Sequence, residues 1–97
     1  RASHVGEEVT LDAQTVGATT QLVRALGNWE RTPAAQRAAA TARLVQLAQA
    51  RQERLVRLLD RAPEVAASRL LPAGVRDRLP GDARAFAEED VRVSGEV

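Results

Sequence analysis

Between Pro33 and Pro63 the chain runs without glycine or proline, and within that run Leu44, Leu47, Ala48, Leu55, Leu58, Leu59 and Ala62 recur at helical spacing. Such spacing gathers apolar side chains on one side of an α-helix and turns the rest toward water. Thr32 stands where an N-cap is expected, and Pro33 where the first helical residue has no N–H to satisfy. Ala, Arg, Gln and Leu dominate the run, so its summed propensity is high. One long helix is predicted, about 40 Å in length at ~1.5 Å per residue. Arg43, Arg54, Arg57 and Arg61 collect on a neighbouring polar side. Arg51 breaks the pattern by falling inside the apolar stripe, where its stem can pack and its head can reach an edge or an acidic partner.

Upstream, Thr10 or Asp12 is placed to cap a helix from Ala13 to about Leu26, with Val16, Leu22, Val23 and Leu26 as its stripe and Gly27-Asn28 as its stop. Residues 1–10 mix charge with Val5 and Val9 and read as extended or disordered. Downstream, Pro63, Pro72 and Pro80 each end one helical piece and begin another, because the residue before a proline is driven to extended geometry. Leu70, Leu71, Val75, Leu79 and Phe86 are the residues expected to dock these pieces on the long helix. After Asp90 the period shortens to two, with Val91, Val93 and Val97 alternating against Arg92, Ser94 and Glu96. The expected fold is all-α: a small bundle of two main antiparallel helices and short proline-started helices spanning 11–90. A C-terminal strand, 91–97, is expected to lead to a following module, since a lone strand needs a partner.

Composition narrows the options. The 97 residues suit one domain, but aromatic residues make up only 2%, so the core is expected to rest on close alanine and leucine contacts and to be modestly stable. All 14 basic residues are arginine and 13 acidic residues offset them, which leaves a net charge of +1. A chain so nearly neutral is not expected to bind nucleic acid, and it carries no apolar run of the ~20 residues needed to cross a membrane. The absence of methionine and cysteine suggests a processed product or excised piece, with no disulfide, thiolate or cysteine metal site.

No set of residues suggests catalysis, metal binding or a cofactor. His4 stands alone near a terminus, with no acid placed to orient it. Glu7-Glu8 and Glu88-Glu89-Asp90 lack the alternating oxygen ligands and glycine of a calcium loop. Ser3, Ser68 and Ser94 have no nucleophile-elbow context, and the glycines form no phosphate cradle. What remains is interaction chemistry. Trp29 sits between the helices, as a plug for the bundle end or an interface anchor. Arg43, Arg54, Arg57 and Arg61 are either a solvated face or a contact for an acidic protein. Val91, Val93 and Val97 are the expected edge for a following domain. An autonomous interaction module, dimerising through the long helix or binding an acidic partner, is the alternative these residues leave open.

The run from Ala50 to Val97 resembles the N-terminal helical region of secreted bacterial multidomain proteins, notably large metallopeptidase-like proteins. The matching features are the arginine-rich helix Arg54 to Pro63, the junctions Leu71-Pro72 and Leu79-Pro80, the acidic Glu88 to Asp90 and the valines of 91–97. Where those proteins have an Asp-Pro-like break this chain has Ala62-Pro63, and no peptidase motif is present. The resemblance implies a non-catalytic, propeptide-like accessory domain, secreted or periplasmic with its parent, that packs on, masks or positions the module that follows.

Overall fold

Two long helices run antiparallel in the computed structural model, which describes residues 2–87, 90, 92 and 93, with side chains from residue 6 onward. α1 spans Ala2–Arg31 and α2 spans Arg37–Arg61, joined by a short 3-10 turn at Ala34–Gln36. The pairs Trp29 with Thr41, Thr19 with Arg51 and Glu7 with Arg61 fix the antiparallel direction. Three short helices follow: α3, Pro63–Ala67; α4, Ala73–Arg78; and α5, Gly81–Arg84, which runs into a 3-10 turn at Ala85–Ala87. The molecule is long and flat, 52 × 28 × 15 Å.

Pro63 stands at the first helical position of α3, as expected, whereas Pro33, expected at the first position of the long helix, lies extended ahead of the 3-10 turn, so that α2 begins only at Arg37. Pro72 and Pro80 are extended, with ψ of 148° and 154°, and each lends its carbonyl to the first turn of the helix it precedes. Leu79, just before Pro80, is held extended at ψ 139°. Short helices of this kind bury too little to stand alone, so Leu71, Leu79, Ala83 and Ala87 close against Leu22, Leu26, Leu44 and Ala48 in one apolar cluster. A second cluster, of Leu55, Leu58, Ala62 and Ala66, takes in Leu11, Leu59, Val65 and Leu70.

Several expectations change. Residues 2–10 continue α1, where an extended or disordered segment was expected; Leu11 reaches the second cluster and Glu7 pairs with Arg61 at 3.0 Å, so the early turns have a partner in α2. α1 also runs through Gly27-Asn28 to Arg31. Arg31 donates to Asn28 Oδ1 at 2.7 Å and Thr32 Oγ1 to the Asn28 carbonyl at 2.7 Å, which spends the Thr32 hydroxyl on the preceding helix and leaves α2 without a side-chain cap. Leu22 and Leu26 are buried, but Val16 and Val23 are each 40% exposed, because Leu11, Thr15, Ala18 and Leu22 define the inward line instead. At the other end, Arg92 and Val93 are helical and no strand occurs among the described residues; Val91 and Val97 lie outside them.

Two ion pairs hold the C-terminal segment to one flank of α1. Arg69 Nε donates to Asp12 at 2.6 Å, and Arg78 Nε to Glu30 at 2.9 Å. The guanidinium hydrogen bonds hold both carboxyls below their usual range, against a smaller opposing effect of burial. With its pKa lowered in the folded chain, a carboxylate is protonated first in the unfolded one, so its contribution is complete above the unfolded pKa and lost as pH falls through the folded value. The urea midpoint should therefore drop as pH is lowered below roughly 4.5. The Asp12→Asn, Glu30→Gln double variant should show a shallower drop, small in size because both pairs face solvent. Leu58, fully buried, tests the core itself: Leu58→Ala should cost ~2–5 kcal/mol in urea unfolding, and a loss under ~0.5 kcal/mol would place the inward face of α2 elsewhere.

Candidate functional site

Arg51 is 1% exposed, yet it is the residue on which the most segments converge. Its Nη1 and Nη2 donate to the two carboxylate oxygens of Asp90 at 2.7 and 2.8 Å. Nε donates to Thr19 Oγ1 at 2.8 Å, and Nη2 also reaches the Arg69 carbonyl at 2.9 Å. Asp90, 0% exposed, accepts in addition from the Leu71 N–H at 2.7 Å. A buried ion pair survives only when hydrogen bonds satisfy both ends, and here four of the five guanidinium N–H groups and both carboxylate oxygens are engaged. Thr15 and Thr19 complete a polar layer between the two apolar clusters. Of the two options the sequence leaves for the Arg51 head group, an edge or an acidic partner, the structure takes the second, and the partner is Asp90.

The C-terminal segment takes up one flank of the α1–α2 hairpin, through Asp12 and Glu30. The opposite flank stays open and is lined by a second series at steps of three, four or seven residues: Glu7, Thr10, Gln14, Gln21, Arg24 and Asn28 from α1. It carries two grooves. The first, at the far end from the hairpin turn, lies between Gly6, Thr10, Leu11, Gln14, Arg57 and Arg61, and Glu7 neutralises Arg61 there. The second lies by the hairpin turn, about 300 Å³, between Gln21, Arg24, Asn28, Trp29, Arg43 and Leu47.

This second groove has a built wall. Trp29 Nε1 donates to Thr41 Oγ1 at 2.8 Å, and Thr41 Oγ1 donates in turn to the Arg37 carbonyl at 2.8 Å. Arg37 lies over the indole at 4.8 Å from the ring centre and donates to the Thr32 carbonyl at 3.0 Å. The indole is held by its N–H on one side and by a cation on its face. Arg24 and Arg43 have no hydrogen-bond or ion-pair partner among the described residues.

Of the interaction residues picked out in the sequence, Trp29 and Arg43 therefore share a groove, Arg57 and Arg61 share the other, and Arg54 lies half-buried on α2 between them. Val93 is half-buried in helical backbone, while Val91 and Val97 lie outside the described residues. Arg24 went unread as a site residue, although its step of three or four from Gln21 and Asn28 marks it as sharing their side of α1. Among the described residues no group of three or more His, Cys, Asp and Glu could hold a metal ion, and no helix is long and apolar enough to cross a membrane. Compared with known protein families, curated proteins and solved structures, the chain matches none.

The Arg51–Asp90 pair sets a measurable expectation. Arg51→Met or Asp90→Leu alone strands a buried charge and should cost about 3–5 kcal/mol, a large share of a small domain's stability. The Arg51→Met, Asp90→Leu double variant should recover part of that loss, with a coupling energy above ~1 kcal/mol in a double-mutant cycle. Additive single effects would show that the pair is not formed in solution.

Proposed function

We propose that the chain is a non-catalytic helical accessory domain, propeptide-like and exported with a larger protein, that packs on and positions a module joined after its helical part. The observation that supports this reading is the anchoring of Asp90. Three residues beyond the 3-10 turn Ala85–Ala87, Asp90 is fastened by Arg51 and the Leu71 N–H in the centre of the bundle. Whatever is attached beyond that point inherits the orientation of the whole hairpin. A tether of this kind transmits position, whereas one fixed only by exposed contacts would not.

The resemblance of residues 50–97 to the helical region of secreted metallopeptidase-like proteins supports the same reading. It supplies no catalytic residue to this chain. Since Arg92 and Val93 are helical, contact with a neighbour is assigned here to helix packing around residue 90 and not to an added strand.

The test is made in the full-length product of the parent reading frame. Disrupting the anchor with Asp90→Ala should leave the attached module folded but loosened, with faster proteolysis between residue 90 and that module and a lower refolding yield. Supplying residues 1–97 in trans to a protein lacking them should restore part of the yield. A reading frame that ends near residue 97, or a module that refolds equally well without the helical part, would overturn the proposal.

A further inference from the structure

The two flanks of the α1–α2 hairpin are not equivalent. On one, three ion pairs join the hairpin to the C-terminal segment: Asp12 with Arg69, Glu30 with Arg78 and Arg51 with Asp90. On the other, Arg24 and Arg43 face the groove beside Trp29 and meet nothing among the described residues. The buried Nε of Arg37, whose guanidinium covers the indole, also lacks an acceptor.

From this we infer that the groove between Gln21, Arg24, Trp29, Arg43 and Leu47 is a docking site for an acidic segment of a separate polypeptide, one with an apolar residue among its carboxylates. Charge complementarity carries the assignment. Two guanidiniums flank a floor made by Ala25, Trp29, Ala40 and Leu47, so carboxylates are received at the rims and an aliphatic side chain between them. The amides of Gln21 and Asn28 offer donors to a peptide backbone. The indole N–H is not available, since Thr41 holds it, and the ring contributes its apolar surface alone. Duplex nucleic acid fits less well: a track of phosphates needs many cations in line, and the acidic Glu7 with the apolar Leu11 interrupts the other groove on this flank. The described C-terminal segment is held on the opposite flank, by Arg69 on Asp12, Arg78 on Glu30 and Asp90 on Arg51, so the occupant assigned is a separate polypeptide. This site goes beyond the accessory role and stands or falls separately from it.

Trp29 is the sole tryptophan, so the groove reports on itself. The 97-residue chain is titrated with a ten-residue probe of aspartate and glutamate around one leucine, following Trp29 emission at low salt and confirming by calorimetry. The expected result is saturable binding with a change in Trp29 emission, weakened at least tenfold in Arg24→Gln, Arg43→Gln and weakened by added salt. Arg57→Gln, in the other groove, should bind as the parent chain does, and circular dichroism should show all variants equally helical. Equal weakening by Arg57→Gln would mean diffuse attraction and would overturn the site. So would the absence of binding at millimolar probe, a preference for a DNA duplex over the peptide, or a full-length protein whose own sequence already fills the groove and excludes the probe.

Discussion

Arg51 and Asp90 are 39 positions apart and meet in the middle of the bundle with neither side chain reached by solvent. Moving an isolated charge out of water is expensive, and the pair offsets that expense only in one arrangement, with the guanidinium fork on the carboxylate and the remaining donors on Thr19 and the Arg69 carbonyl. The consequence is register. A stripe of leucine and alanine would tolerate a slide of α1 along α2 by a turn, because one small apolar contact substitutes for another. A bidentate pair that must also find a threonine hydroxyl and a main-chain N–H tolerates none. The apolar clusters on either side, built around Leu44 and Leu55, depend on that fixed layer for their alignment.

Arginine does work here that lysine could not. Helices α2 to α5 carry no side-chain cap at their starts, since prolines and a 3-10 turn occupy those places. Arginines instead collect carbonyls left at helix ends and turns. Arg76 donates to the Leu71 carbonyl at 2.8 Å, and Arg84 donates to those of Asp77 and Leu79, both at 2.8 Å. A planar group with several fixed donors can bridge two acceptors that a single ammonium would serve poorly. An alanine-rich core with few aromatic residues is thus supplemented by a lattice of side-chain to main-chain bonds. These bonds bind the proline-separated pieces into one layer.

What the sequence disclosed follows from how local each signal is. The long helix, its inward leucines and the proline junctions are set by propensity, periodicity and the geometry around proline, all of which act within a few residues. Leu44, Leu55, Leu58, Leu71 and Leu79 accordingly lie buried where the pattern places them. The beginning of α1 was not legible, because Gly6 and two valines weaken local helix preference and the compensating partners, Arg61 and the cluster around Leu58, lie more than forty residues away. Asp90 was hidden for the same reason. Its neighbours in sequence are acidic, and only the distant Arg51, anomalous in its own stripe, hinted that one of them had to come inside. Trp29 and Arg43 could each be singled out, but their meeting in one groove depends on the pairing of α1 with α2.

The groove differs from an ordinary charged surface in how its parts are held. Trp29 is fixed from two directions, by Thr41 on its N–H and by Arg37 on its face, and Arg37 is fixed in turn by the Thr32 carbonyl. The ordering of that wall is completed during folding, so the occupant inferred above would have little left to organise except Arg24 and Arg43. Preorganisation of this kind raises affinity by removing costs, without adding contacts. A leucine could cover the same end of the bundle, but it could supply neither the N–H that Thr41 anchors nor the broad face on which Arg37 rests.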